Sequence, residues 1–587
     1  MKITVLITIC LAGMLFSQAP LEKKSAMLEQ ALINKTTNER ILIWVTFKDK
    51  GNGLNKSNTS APLLLSQKAI ERRKKVLPKN QLIEETDLPV NREYISQVEV
   101  IGSTVNQISR WFNSISVWTT KDKLDAIARL DCVSKIDLVQ KLAKSKFTEE
   151  AQDIPLEKVQ PPSGNAASPS SLNYGPSLKQ LSMLHVPELH DQGYNGKGVV
   201  IAVLDAGFNN LPHEAFSSMK IIATYDFVNH RVSVADGNGG LGSGTHGTAT
   251  LSVIGGYKPG QLIGPSYGAS FILAKTENTE SETPIEEDNW IAGMEWADSI
   301  GVDITSTSLG YLTFDSPYTS YTWQSMDGRT CKMTLGAELA ARKGIFVVNS
   351  AGNEGLNASH NTLDAPADAD SILTVGAVDT LGARAYFSSV GNTIDGRTKP
   401  DVVAPGYPVY AAGPSSTNYY YYTSGTSFSC PLSAGVAGQL LQAKPTLTPY
   451  QLLNLMRSTA GNFLAPNREL GWGLVNALKA FQNITSSVDD VITPASFTLY
   501  QNYPNPFNPA TEIKYALAES ADMNLSVYTI DGRCVATLAA GRQSGGEHKV
   551  VFDSSSLSSG VYIYRLSVYG TNGKIIQSES RKMIHLK

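Results

Sequence analysis

Val199-Val200-Ile201-Ala202-Val203-Leu204-Asp205-Ala206-Gly207 is an apolar, β-branched run that stops at a carboxylate followed by two small residues. A continuous run of this kind fits a strand buried on both faces, as in parallel sheets. Strand-like runs recur at Phe271–Ala274, Val302–Ser306, Ile345–Asn349 and Ile372–Val375. Between and after them lie segments of helical spacing at His246–Ile254, Ile285–Ile300, Leu335–Lys343 and Thr448–Thr459. This alternation predicts an α/β domain over 174–483, with a doubly wound, mostly parallel sheet. Within it, Ile291, Met294, Trp296 and Ala297 fall near one helix face and read as core packing, and Tyr419–Tyr422 reads as an ordinary half-buried strand.

In an open α/β sheet, ligands bind beyond the carboxyl ends of the strands, so Asp205 stands at the functional edge. A carboxylate just past an apolar strand needs a partner, and an imidazole N–H supplies one. His246, in Gly244-Thr245-His246-Gly247-Thr248, follows the glycine-rich loop Gly239–Thr245 and opens a stretch of small residues. Ser427, in Gly425-Thr426-Ser427-Phe428-Ser429-Cys430-Pro431, precedes a helix rich in small residues, where the helix dipole and free N–H groups favour developing negative charge. Asn353 follows a strand and a Ser-Ala-Gly turn, which lets its amide project over the same edge. Taken singly these are a capping Asp, a loop His, an N-cap Ser and a turn Asn. Together they are nucleophile, general base, orienting carboxylate and side-chain oxyanion donor. The other seven of the eight histidines, His185, His190, His213, His230, His360, His548 and His585, read as surface or capping residues.

The order Asp, His, Asn, Ser and the motifs around each residue resemble the subtilisin-like serine proteases over residues 174–481. That resemblance implies a secreted serine endopeptidase acting on protein or peptide substrates through an acyl-enzyme. It further implies that Ser308-Leu309-Gly310 forms a wall of the primary specificity pocket and pairs with substrate backbone. Asp395–Gly406 and Gly471–Ala477 match recurring segments of the family. Phe428-Ser429-Cys430 departs from it, since Met-Ala-Ala is common there. No cofactor is implied for catalysis; calcium is frequent in the family as a structural ion, with no ligand assignable here. A catalytically silent surface adhesin that kept the fold would show a broken triad or oxyanion position, and neither is seen. An esterase or lipase would show Gly-x-Ser-x-Gly and the order Ser, Asp, His, both absent.

The remainder of the 587 residues divides by composition. Lys2 and the apolar run Ile3–Phe16 read as a signal peptide over 1–18, and no later run is long and apolar enough to span a bilayer. Residues 20–150 read as a small α+β unit, with strands at Ile41–Phe47, Ser116–Thr120 and Val133–Val139. Its pattern resembles the inhibitory prodomain of such enzymes, which makes the prodomain an expected partner. Its basic stretch Gln67–Lys79, with Arg72-Arg73-Lys74-Lys75, reads as a solvated helix face. Prolines 155, 161, 162 and 169 mark an exposed linker over 151–173, and 484–496 reads as a second. Residues 497–587 alternate as short strands of a β-sandwich, with Asp531-Gly532 as a two-residue hairpin turn. Leu499–Pro509, Gly532-Arg533 and Ser559–Tyr562 resemble the sorting domain of type IX secretion cargo, which implies the export machinery as partner and a secreted or surface location. A net charge of −3 gives no reason to expect nucleic acid. Cys10 leaves with the signal; for Cys132, Cys331, Cys430 and Cys534 no pairing follows from spacing, and no zinc-ligand cluster occurs.

Overall fold

The computed structural model describes residues 23–33, 35–51, 64–139, 171–235, 244–278, 285–312, 320–485, 498–517, 521–543, 546–569 and 575–586. The signal segment, nearly all of the first linker, most of the second and loop residues 239–243 lie outside them. The chain forms two units, Met1–Ile484 and Thr485–Lys587.

Apolar strands with little polar interruption can be buried only between two layers of helix, and this dictates the larger unit. Seven parallel strands run, edge to edge, Val402–Tyr407, Leu373–Asp379, Phe346–Ser350, Ile304–Thr307, Val200–Asp205, Ser270–Lys275, Lys220–Asp226. Side chains alternate across the sheet. Ile201 and Val203 pack with helices His246–Gly255 and Thr426–Ala443, while Val200, Ala202 and Leu204 pack with Ile285–Ile300 and Lys332–Arg342. From the central strand Val200–Asp205 the chain builds one flank, then crosses over to build the other. The crevice at that reversal is where α/β sheets hold ligands.

The strands expected from apolar runs are present with ends shifted by a residue or two. Two strands had no such signature. Lys220–Asp226 is the half-exposed edge, and Val402–Tyr407 carries Pro405 and Gly406. On helix Ile285–Ile300 the fully buried apolar residues are Trp290, Ile291, Met294 and Ala297. Trp296 is only partly buried, with its ring 5.9 Å from Phe227, because it lies off the stripe that faces the sheet. Tyr420–Thr423 is a strand paired with Val409–Ala412, as read.

Residues 40–138 form an antiparallel sheet, Thr104–Ser109, Ser114–Thr120, Arg40–Phe47, Val133–Leu138, with its own core of Ile43, Val45, Val98, Ile115, Val117 and Ile136 among others. The basic helix Gln67–Arg73 contradicts the solvated reading. Arg72 and Arg73 are 2% and 0% exposed because both pair with Asp298 on helix Ile285–Ile300, and Arg73 also forks onto Asp87 at 2.6 and 2.8 Å. Lys343 Nζ reaches Asp87 at 2.9 Å, and Glu295 accepts the backbone N–H of Arg110 at 3.0 Å and of Trp111 at 3.2 Å. Arg72 and Arg73 are therefore one half of a buried ionic seam, whereas Lys74, paired with Glu71 at 2.6 Å, lies on the solvated face as read.

Three histidines read as surface or capping residues are also buried. His190 sits between Tyr174 Oη and the Pro265 carbonyl, each at 2.8 Å, and burial pushes its imidazole down to about 4. His213 does cap, accepting the Ala215 N–H at 3.1 Å, yet it is 1% exposed; His585 is fully buried.

The second unit is all β. Thr498–Leu499, Ala510–Leu517 and Gly546–Asp553 form one antiparallel sheet, and Cys534–Gln543, Ala521–Thr529, Gly560–Tyr569 and Ile575–His585 the other. Leu499, Ile513, Leu525, Val527, Tyr564 and Leu566 share the core between them. The turn at Asp531-Gly532 is one residue longer than expected. Thr529 N–H bonds the Arg533 carbonyl at 2.9 Å around Ile530, Asp531 and Gly532, and Gly532 takes the positive φ of 87° that a three-residue loop requires.

Candidate active site

Asp205 ends the central strand with no solvent exposure. Its Oδ1 accepts the Ala206 N–H at 2.8 Å and lies 2.7 Å from His246 Nδ1; its Oδ2 accepts Thr250 Oγ1 at 2.9 Å. A carboxylate can only accept, so Nδ1 carries the proton and Nε2 of the neutral ring is left basic. Thr250, which reads in sequence as one more small residue, thus anchors the carboxylate from one turn further along the His246 helix. Glycines permit this proximity. A Cβ on Gly247 would collide with the Gly207 carbonyl and sit 3.1 Å from Asp205 Cβ, and Gly207 has a φ of 135°.

Ser427 is the second residue of helix Thr426–Ala443, behind Gly425 with a φ of 144°. Pro431 sits inside this helix and has no N–H, so the Ser427 carbonyl loses its ordinary donor four residues on. Ser308 Oγ takes that place at 2.7 Å, and Ser427 Oγ donates to the Ser308 carbonyl at 3.3 Å. The His246 ring lies 5.8 Å from the ring of Phe428, the next residue. Asn353 Oδ1 accepts from both the N–H and Oγ1 of Thr426, each at 3.0 Å, which commits the oxygen and turns the NH₂ toward Gly425. Asn349 Nδ2 ties the Leu309 carbonyl at 3.1 Å, so the Ser308–Gly310 segment is held from the next strand. All seven site residues expected from sequence thus lie along one edge of the sheet. Thr250 and Thr426 had no signal of their own.

Cys430 is buried three residues beyond Ser427, its Sγ 3.3 Å from the Thr307 carbonyl, and burial pushes its thiol up to about 12. It is a core residue. Cys132, Cys331, Cys430 and Cys534 are all free thiols. Among the described residues no group of His, Cys, Asp and Glu could hold a metal ion, so no calcium ligand is assigned. Among them too, no helix is long and apolar enough to cross a membrane.

Comparison with known proteins agrees with this geometry. Residues 196–473 match the subtilase family, 42–153 the peptidase S8 propeptide domain of Bacteroidota, and 501–578 a secretion system C-terminal sorting domain. Subtilisin DY of Bacillus licheniformis is 32% identical over 302 residues, covering 51% of this chain and 97% of that protein. Subtilisin E of Bacillus subtilis is 31% identical over 303 residues, covering 51% and 70%. Fervidolysin from Fervidobacterium pennivorans, described as a keratinolytic enzyme related to subtilisin, aligns in structure with a TM-score of 0.54 at 17% identity, covering 94% of this chain and 76% of its own; that likeness is one of fold. The chain belongs to the subtilase family: it is a subtilisin-type serine protease that carries its own propeptide and a sorting domain for secretion to the cell surface or beyond.

Proposed function

We propose that Ser427 is the nucleophile of a secreted endopeptidase and that peptide bonds are cleaved through an acyl-enzyme on its Oγ. His246 Nε2 takes the hydroxyl proton and returns it to the leaving amine. Asp205 holds the tautomer and stabilises the imidazolium. Asn353 Nδ2 and backbone N–H groups at the start of the Ser427 helix donate to the oxyanion. Ser308-Leu309-Gly310 lines the pocket for the residue whose carbonyl is attacked. The observation that carries this reading is the 2.7 Å contact of His246 Nδ1 with a carboxylate already fixed by two other donors, at the sheet edge where Ser427 begins its helix.

Residues 20–150 act in this reading as the inhibitor of the precursor, 151–173 as the place of maturation, and 497–587 as the export signal, after a signal peptide over 1–18. The deciding experiment is Ser427→Ala. It should leave less than about a hundredth of the rate on any peptide, and covalent labelling by a fluorophosphonate should map to Ser427 and vanish with it. A variant that retains more than that, or a label found elsewhere, removes Ser427 from the role.

A further inference from the structure

Between the Ser308-Leu309-Gly310 segment and the Ser350-Ala351-Gly352 segment lies a carboxylate. Asp364 is 2% exposed. Its N–H donates to the Ala351 carbonyl at 3.3 Å, and Ala365 exchanges two backbone bonds with Tyr311, at 2.9 and 3.0 Å, so the residue is stitched to both segments. Its side chain occupies the room that two glycines leave. A Cβ on Gly310 would sit 2.7 Å from Asp364 Cβ, and one on Gly352 would collide with Asp364 Oδ2. No described residue donates a hydrogen bond to this carboxylate or pairs with it, and its Oδ1 is buried without a partner. Burial, and then the like charge of nearby Glu354, hold its carboxyl well above the usual range.

Such an arrangement disfavours the free protein. A buried acid facing a second acid gains nothing from its surroundings until a cation arrives. Both segments lead from the nucleophile to it. Ser308 bonds Ser427, and Gly310 two residues later lies on Asp364; Asn353 bonds Thr426, and Gly352 just before it lies on Asp364. Two extended residues span about 7 Å, within reach of a long basic side chain. We propose that Asp364 forms the base of the pocket for the residue whose carbonyl is attacked, and that it selects lysine or arginine there. This rests on the nucleophile assignment made above. The incoming ammonium or guanidinium supplies the charge that the fold withholds, whereas an apolar side chain would bury that carboxyl still unpaired.

The test is a peptide series identical except at that position, carrying Lys, Arg, Leu, Phe or Glu, assayed on the mature enzyme with active sites counted by fluorophosphonate titration. The wild type should cleave the Lys and Arg peptides with kcat/KM about 10²-fold or more above the Leu and Phe peptides. Asp364→Asn should collapse that ratio toward unity, and Asp364→Glu should retain a preference for the basic peptides. Equal or higher rates on the apolar peptides in the wild type overturn the proposal, as does an Asp364→Asn variant that slows both classes by one factor. Should Asp364→Asn yield no titratable sites, the wild-type ratio and Asp364→Glu decide alone. A wild type that the fluorophosphonate does not label at Ser427 would instead strike the nucleophile assignment, so the two failures are distinct.

Discussion

Asp298 and Asp364 are both buried acids of the same domain, and they live in opposite surroundings. Asp298 faces the propeptide and meets Arg72 and Arg73, with Arg110 a further 3.9 Å from its Oδ2. Asp364 faces the cleft and meets no cation among the described residues. The same contrast separates the two regions at large. Along the propeptide seam Asp87 is saturated: burial pushes its carboxyl up, but Arg73 and Lys343 outweigh this and hold it well below the usual range. In the cleft, Asn353 has its oxygen committed to Thr426 while its NH₂ donates to no described residue. Saturated groups hold two pieces of chain together. Groups with an unfilled valence wait for something that is not part of the fold.

The contrast is broken most directly at Asp298. Asp298→Ala leaves Arg72 buried without its carboxylate and Arg73 with only Asp87. Removing one partner of a buried pair costs about 3–5 kcal/mol. The propeptide should then inhibit the mature enzyme roughly 10²- to 10³-fold more weakly, read as an inhibition constant with residues 20–150 added in trans. An unchanged constant would mean that the seam does not hold the inhibitor.

His190 is saturated by neutral partners, so its cost appears only when it must take up a proton. Its folded pKa is depressed to about 4 from an ordinary value near 6.5. The folded state therefore binds fewer protons, and its contribution is intact above about 6.5 and lost as pH falls toward 4, roughly 3 kcal/mol in all. The melting temperature of the wild type should fall across that window, and His190→Gln should flatten the fall. A variant with the same pH slope would place the loss at other groups.

Asn353→Ala tests the unfilled valence. The expected result is a loss of about 10²-fold or more in kcat with little change in KM, the scale known for such a donor in subtilisin. A loss confined to KM would make Asn353 a turn residue only. The smallest effect belongs to Asp364→Asn on stability. Replacing an unpaired buried carboxyl by an amide of the same shape should leave the melting temperature unchanged or slightly raised, opposite in sign to Asp298→Ala. A marked drop would show that Asp364 already has a structural partner.

Sequence made the cleft more legible than the seam, for a physical reason. Val199–Leu204, Ile345–Asn349 and the motifs at Asp205, His246 and Ser427 are local patterns, each complete within a dozen residues. Arg72 and Arg73 find Asp298 some 225 residues further on, and a run of charges gives no local sign that an acid will cover it. Asp364 is harder still. Leu363-Asp364-Ala365-Pro366 belongs to none of the motifs read above, and only the folded chain puts its carboxylate between two glycines. The edge strand Lys220–Asp226 escaped notice because half its side chains meet water, which removes the apolar run that marks its neighbours.

The bond from Ser308 Oγ to the Ser427 carbonyl bears on the order of synthesis. Pro431 deprives that carbonyl of a donor from its own helix, so the first turns around Ser427 are completed by a side chain 119 residues earlier in the chain. Asp205, His246 and Ser308 all leave the ribosome before Ser427 exists. The propeptide, with Arg72 and Arg73, precedes them all. The order of the chain itself therefore makes the propeptide first and Ser427 last, and the serine acquires its setting only when strand Ile304–Thr307, with Ser308 just beyond it, is already in place.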